Sequence, residues 1–499
     1  DLGGMAHLSW VVTAYLLAST ATMPLYVKLA DQLGRRPMIF TALATFLLRS
    51  VLCGFAPRLT QLIAIKSIST DPAYKAECQR AADWLVADLA SEGFAAVARP
   101  TPGHPVVVAH GPAVVGPKLV FYAHYDVQPV DPLNLWNTDP FALTAVKQPA
   151  GETHLFGRGT SDDKGQLLTF TEACRALRAA TGTLPASITL CLEGEEESGS
   201  TNLAAFLAAN RDELAADVAL VCDTDMLDAQ TPSITTMLRG LVGEEVEITC
   251  ADKDLHSGMY GNVARNPNQV LAEIIASLRK PDGSVAIDGF YDDVQEVDAA
   301  TMASWQTLGF DGAAYLKDVG LSIPAGEAGR SVLEQTWARP TCEINGMIGG
   351  YTGDGFKTVI PAKASAKISF RLVANMDPDK IRAAFRAHVR ARVPADCSVS
   401  FTEHGGSPAM SVPTTGKYLQ QARAALADEW GRQAALRASG GSIPVAGDFE
   451  RILGLDTLLI GYANADDRIH SPNEKYNLKS FQKGIRSWAR IIAAFADRA

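Results

Sequence analysis

The stretch Leu119-Val120-Phe121-Tyr122-Ala123-His124-Tyr125-Asp126 decides the reading of the fold, because an apolar run the length of one strand ends on an imidazole and a carboxylate. A short apolar run bounded by polar signals reads as a strand buried on both faces. Val106 to Val108, Ile188 to Leu192 and Val218 to Cys222 read the same way, and Gln166 to Leu177 between them has helical spacing. Alternation of this kind predicts an α/β fold with a mostly parallel sheet flanked by helices. Upstream, Thr70-Asp71-Pro72 is a helix start, Ala81, Trp84, Leu85 and Leu89 mark one helical face, and Gly93 offers a stop.

Acidic residues and histidines cluster where those strands end. Glu196 and Glu197 follow Ile188 to Leu192, and Asp223 follows Val218 to Cys222, as His124 and Asp126 follow Leu119 to Ala123. Ligands bind at the carboxyl edge of an open α/β sheet, so separate segments bring these side chains together. Asp162 and Asp163 lie in the glycine-rich turn Gly157-Arg158-Gly159-Thr160-Ser161-Asp162-Asp163-Lys164-Gly165, which leads into the helix. Carboxylates converging with imidazole are what a divalent metal needs. Taken singly, a His-x-Asp pair is a common structural pair, and the run Glu193, Glu195, Glu196, Glu197 reads as a solvated acidic loop. Their ordered placement, with His470 in Arg468-Ile469-His470-Ser471-Pro472-Asn473-Glu474, favours one site.

A second texture runs over 241–404. Val242 to Cys250 and Ala364 to Val373 alternate like half-exposed strands, and Asn268 to Leu278 and Asp379 to Val389 read as amphipathic helices. The expectation is an inserted α+β domain, with the catalytic domain formed by 61–240 and 405–499. The 499 residues exceed one ordinary domain. A formal charge of −10 argues against a nucleic-acid partner, which needs a basic face. Eight cysteines without paired spacing favour free thiols in a reducing compartment over a disulfide framework.

The first 60 residues read differently. Trp10 to Leu29 is nearly uncharged and Met38 to Phe55 is apolar except for Arg49, so each is long enough to cross a bilayer as a helix. The turn between them, Leu29-Ala30-Asp31-Gln32-Leu33-Gly34-Arg35-Arg36-Pro37, resembles the loop between the second and third membrane helices of major facilitator transporters. The alternative is a buried helical hairpin. Two helices form no transport path. The expectation is a membrane hairpin over 1–60, joined near Leu59-Thr60-Gln61-Leu62-Ile63-Ala64. The leading residue is Asp1 rather than Met, which reads as a fragment or processed form without a cleavable signal peptide.

From about Leu62 onward the blocks above resemble the M20 metallopeptidase family, on the branch of carnosinase-like and related cytosolic dipeptidases. That resemblance implies two divalent ions, Zn²⁺ or alternatively Mn²⁺. His124 and Asp223 would hold one ion, Glu197 and His470 the other, and Asp162 would bridge them. Asp126 would orient the His124 ring, and Glu196 would be the general base. Two adjacent glutamates can divide the work, one bound to metal and one free to take a proton. The inserted domain would be a ferredoxin-like lid and dimerisation domain. His256 in Asp254-Leu255-His256-Ser257-Gly258 resembles the histidine that reaches into the partner subunit's site, which implies a homodimer. Arg371 in Phe370-Arg371-Leu372 resembles the arginine that grips a substrate carboxylate. Thr358, and Ser442 in Gly440-Gly441-Ser442-Ile443-Pro444, would be substrate contacts.

Two departures bear on the transfer. Many relatives have Arg-Glu before the Gly-Gly-Ser-Ile-Pro block, where this chain has Ala438-Ser439, and the first family helix is cut short by the leader. The implied activity is hydrolysis of dipeptides or short peptides. An N-acyl amino acid hydrolase with the same metals is the chemical rival, against which Asp223 rather than Glu leans. A membrane-anchored, transporter-derived protein with an inactive peptidase part is the rival from another class. Resemblance places the peptidase in the cytoplasm, whereas a hairpin inserted with Arg35-Arg36 inside would place it beyond the membrane.

Overall fold

The computed structural model describes residues 57–441 and 443–496, and the chain forms two compact units. The first runs through Pro232 and takes in Lys417–Ala434 and the chain from Ile460. The second comprises Ser233–Gly416 and Ala435–Leu459. The hairpin expected over 10–55 lies outside the described residues. Among the described residues, no helix is long and apolar enough to cross a membrane.

The first unit is built on β1 (Ala95–Arg99), β2 (Val106–His110), β3 (Lys118–His124), β6 (Ser187–Glu193) and β7 (Val218–Val221), in the order β1-β2-β6-β3-β7. Strand β3 pairs in parallel with β6 and β7, with Phe121 opposite both Leu190 and Leu220. The expectation of a mostly parallel sheet needs correction, because β2 is antiparallel to both β1 and β6. The connection from β1 to β2 is too short for a crossover, so those two strands can only form an antiparallel pair. The helix Lys164–Thr181 starts at Asp163 and stops at Gly182, whose φ of 79° suits a left-handed cap. Its Phe170 stacks on Phe121 with ring centroids 3.7 Å apart, and Trp488 of the helix Leu478–Ala496 meets both rings edge-on. All three rings are buried, each worth roughly 1.5–3 kcal/mol of transfer free energy.

Asp71 caps a short turn, Pro72–Tyr74, that feeds the helix Lys75–Ser91. Of the expected face, Ala81, Leu85 and Leu89 are buried and Trp84 is half-buried. The join expected near Leu59 to Ala64 also needs correction. A helix spans Pro57–Ile63 and buries Leu59, Leu62 and Ile63. Buried Lys164 donates to the carbonyls of Leu62 and Ile65 at 3.1 and 2.7 Å, which ties the end of this helix to the start of the helix Lys164–Thr181. The first unit therefore reaches back to Pro57. A small sheet not expected from the sequence adds β4 (Thr144–Lys147), β5 (Thr153–Phe156) and the strand Lys475–Asn477.

In the second unit a four-stranded antiparallel sheet has the order Thr341–Gly349, Lys363–Leu372, Gly240–Thr249, Ser398–Ser407. Helices Pro267–Ala276 and Pro378–Arg390 complete a βαββαβ sequence, the ferredoxin-like pattern. Their faces Val270, Leu271, Ile274 and Ile381, Phe385, Val389 share one core with Val246, Ile248 and Phe370. The unit extends beyond 241–404. Its strand Ala435–Ser439 lies parallel to Ser233–Leu238.

Candidate active site

The parallel pairing β6-β3-β7 aligns three strand ends of the first unit. His124 closes β3, the turn Glu196–Ser198 follows β6, and Asp223 follows β7. Asp162 arrives from the glycine-rich turn before the helix Lys164–Thr181, and His470 from the loop before Lys475–Asn477. Glycine is needed in that turn: Gly159 has φ +83°, and a Cβ on Gly165 would lie 1.9 Å from the Thr160 carbonyl oxygen.

These elements gather His124, Asp126, Asp162, Glu196, Glu197, Asp223 and His470 in one place. His124 Nε2 lies 3.1 Å from Asp162 Oδ1 and 3.9 Å from Asp223 Oδ2. On the other side, His470 Nε2 lies 2.9 Å from Asp162 Oδ2 and 3.2 Å from Glu197 Oε2. Two donor sets result, His124/Asp162/Asp223 and Asp162/Glu197/His470, each with its ligand atoms within 4.8 Å of one another. They share Asp162 through different oxygens.

This donor set fits a pair of divalent ions. Tetrahedral Zn²⁺ with its usual bond lengths needs ligand atoms about 3.4 Å apart, and a catalytic site supplies three protein ligands with one position open. The spacings above bracket that value. The clustered carboxylates also call for cations. Burial, then repulsion from Asp162, Glu196 and Glu197, pushes Asp223 well above the usual carboxylate range although His124 opposes it. Burial, with like charge from Asp162 and Glu197, pushes Glu196 up to about 7. Hydrogen bonds to Asp162 and Glu197 raise His470 to about 10. Against the cost of burial, bonds to Asp126 and Asp162 raise His124 well above its ordinary value. Divalent ions would replace these protons. His124 is fully buried, whereas the His470 side chain is 54% exposed, so the cluster opens at His470.

Asp126 contacts more than the His124 ring. Its Oδ1 is 3.3 Å from His124 Nδ1, and its carboxylate also accepts the backbone N–H groups of Glu196 and Glu197 at 3.3 and 3.0 Å, and the Ser69 hydroxyl at 2.6 Å. One buried carboxylate thus holds His124 together with the turn that carries both glutamates.

Sequence reasoning missed Gln128 and Glu474, and the contact that Asp163 makes. Gln128 Nε2 donates to Glu197 Oε2 at 2.8 Å. Asp163 accepts the His124 backbone N–H at 3.2 Å. Glu474, fully buried, accepts N–H groups from Gly159, Ser161 and Asp162 and the Arg158 guanidinium at 2.7 Å. The available signal was Arg158 in one motif and Glu474 in the other, opposite charges beside the two loops that carry Asp162 and His470.

His256, Thr358 and Arg371 lie in the second unit. His256 caps the turn Ser257–Tyr260, its Nδ1 accepting the Gly258 N–H at 3.0 Å, and pairs with Val359, beside Thr358. Both His256 and Thr358 are exposed. Arg371 is half-buried on the sheet opposite Thr341 and Leu241, and burial lowers its pKa. Ser442 lies outside the described residues.

Comparison with known proteins agrees with this chemistry. The chain is 30% identical over 460 residues to the Cys-Gly metallodipeptidase dug1 of Schizosaccharomyces pombe, covering 89% of this chain and 96% of that protein. It is 30% identical over 404 residues to the Beta-Ala-His dipeptidase of Rattus norvegicus, covering 79% and 80%. Human carnosine dipeptidase 1 has the same fold, with a TM-score of 0.75 at 26% identity over 92% of this chain and 99% of that one. The M20 family metallo-carboxypeptidase Sso-CP2 of Sulfolobus solfataricus gives a TM-score of 0.78 at 29% identity, over 88% and 98%. The profile of Peptidase family M20/M25/M40 matches residues 120–494, well over half of the sequence, and the chain belongs to that family.

Proposed function

We propose that this chain is a metal-dependent dipeptidase whose reaction is carried by the cluster around Asp162. The observation that carries this reading is that the two oxygens of one aspartate face two histidines, His124 and His470, with a further carboxylate on each side. Ions held there would supply the positive charge that polarises a peptide carbonyl and acidifies a water. His124, Asp162 and Asp223 would hold one ion, and Asp162, Glu197 and His470 the other. Glu196 is the carboxylate left over. It accepts the proton of the attacking water and returns it to the leaving nitrogen. Asp126 keeps Glu196 in register with the ligands through the backbone of the same turn.

Arg371 suits recognition of a substrate's terminal carboxylate, since a guanidinium binds one bidentately. Exposed His256 and Thr358 suit substrate contacts in an assembly of two copies. The relatives act on Cys-Gly and on β-Ala-His, so short dipeptides are the substrate class of choice. The departure at Ala438-Ser439 bears on recognition of the amino end of the substrate.

The test is a panel of dipeptides, with N-acyl amino acids beside them, offered to purified chain loaded with Zn²⁺ or Mn²⁺ and followed by amine release. Dipeptide hydrolysis is expected. Turnover of N-acyl amino acids alone would overturn the reading.

A further inference from the structure

We propose that Cys250 and Cys397 form a reversible disulfide, a redox modification site in the second unit that reacts with low-molecular-weight disulfides. Among the described residues, Cys78, Cys174, Cys191, Cys222 and Cys342 are buried, whereas Cys250 and Cys397 are half-buried. Their sulfurs lie 2.8 Å apart. The placement follows from strand register. Thr249 pairs with Ser398 in an antiparallel ladder, so the next residues outward, Cys250 and Cys397, face each other. Their backbone N–H groups turn elsewhere, to the carbonyls of Ala362 and Pro394. An antiparallel pair without mutual backbone bonds has its Cα atoms about 4.5 Å apart, inside the roughly 4.4–6.8 Å that a disulfide spans. The strand register thus suits closure of the bond.

The reaction balances as two exchanges. One cysteine thiolate attacks a sulfur of the small disulfide, forming a mixed disulfide and releasing one small thiolate. The other cysteine thiolate then attacks the protein sulfur of that mixed disulfide and releases the second. Two protein S–H bonds are lost and one S–S bond forms, while the small disulfide takes both electrons and both protons as two thiols. Burial, then the bond to Cys397, pushes the Cys250 thiol up to about 12, although Arg265, paired with Asp396, favours the thiolate. Exchange is therefore best run at mildly alkaline pH.

The cross-link would join residues 147 apart and constrain the unfolded chain. It would also pin the foot of the loop that leads to His256. That loop is already tied to the facing strand, where the Ala362 N–H donates to Asp254 at 2.9 Å and Leu255 pairs with Ile360.

The experiment treats reduced full-length chain with oxidised glutathione, alkylates it under denaturing conditions and maps peptides by mass spectrometry. Expected are a Cys250–Cys397 cross-linked peptide, loss of those two alkylated thiols while the buried cysteines stay alkylated, reversal by dithiothreitol, and a higher Tm for the oxidised form. In Cys250→Ser or Cys397→Ser the remaining cysteine should carry a glutathione adduct and the rise in Tm should vanish. Both thiols still fully alkylated, separate glutathione adducts on both in the unmutated chain, or a Tm unmoved by the cross-link would overturn the proposal.

Discussion

The Glu474 carboxylate accepts the backbone N–H of Asp162 at 3.1 Å, so the loop that carries His470 also sets the position of the shared aspartate. The same carboxylate takes Ser161 N–H at 2.9 Å, Gly159 N–H at 3.1 Å and the Arg158 guanidinium at 2.7 Å. Glu474→Ala would leave the buried Arg158 charge and three N–H groups without this partner. Breaking a buried pair on one side costs about 3–5 kcal/mol. Urea unfolding of the variant should show a loss of that order together with lower metal content. Unchanged stability and metal content would remove Glu474 from the scaffold.

Glu196→Gln separates catalysis from binding. Glutamine keeps the shape of the side chain, and Asp126 grips the backbone N–H at position 196 rather than the side chain, so the turn should survive. It cannot take a proton. A positioned acid–base group contributes roughly 10²–10⁴-fold, so kcat should fall by that factor with metal content unchanged. Near-normal kcat would assign the base elsewhere.

Metal content should follow the sharing of ligands. His470→Ala affects only the Asp162/Glu197/His470 set, whereas Asp162→Ala affects both. Bound metal per chain should fall further in the second variant than in the first, and equal losses would contradict a bridging aspartate. The sign of the pH dependence follows from His470. Without metal its ring is raised to about 10 by Asp162 and Glu197, so at pH 7 it holds a proton that a ligand nitrogen must lose. Metal binding should therefore release protons, and affinity should rise with pH. Calorimetry in buffers of different ionisation enthalpy checks this, and binding without proton release would contradict it.

What the sequence discloses and what it conceals divide along contact distance. His124, Glu196, Glu197 and Asp223 were legible because each follows an apolar run, and parallel neighbours align strand ends without further information. The helices 267–276 and 378–390 were legible because each shows one apolar face. Glu474 was not, since its partners in 158–162 come from a distant loop and a lone glutamate carries no periodic signal. The antiparallel placement of β2 was hidden for a related reason: Val106 to Val108 reads as buried whichever way its neighbour runs. The pairing of Ala435–Ser439 with Ser233–Leu238 is hidden in the same way, because nothing local in either run reveals its neighbour. Lys164 shows the same limit from the other side, as a buried side chain that holds the carbonyl end of Pro57–Ile63 and so extends the unit past the expected join.

His256 bears on whether two copies share a site. It is exposed, and its Nδ1 is taken by the Gly258 N–H, so an interaction with another group would use Nε2. Its strand is pinned to Val359 beside Thr358, so the ring is presented from a fixed support rather than a free loop. A group offered this way can serve a site in a second copy. His256→Ala and Glu196→Gln chains, each inactive alone, should then recover activity when mixed and allowed to exchange subunits, because one mixed site combines an intact His256 from one chain with an intact Glu196 from the other. Random pairing makes half of the dimers mixed, and each holds one complete site, so recovery should approach about a quarter of the unmutated rate at equal mixing. Sedimentation should show a dimer under the same conditions. Subunit exchange without recovered activity would place His256 in the service of its own chain, and a monomer by sedimentation would remove the shared site altogether.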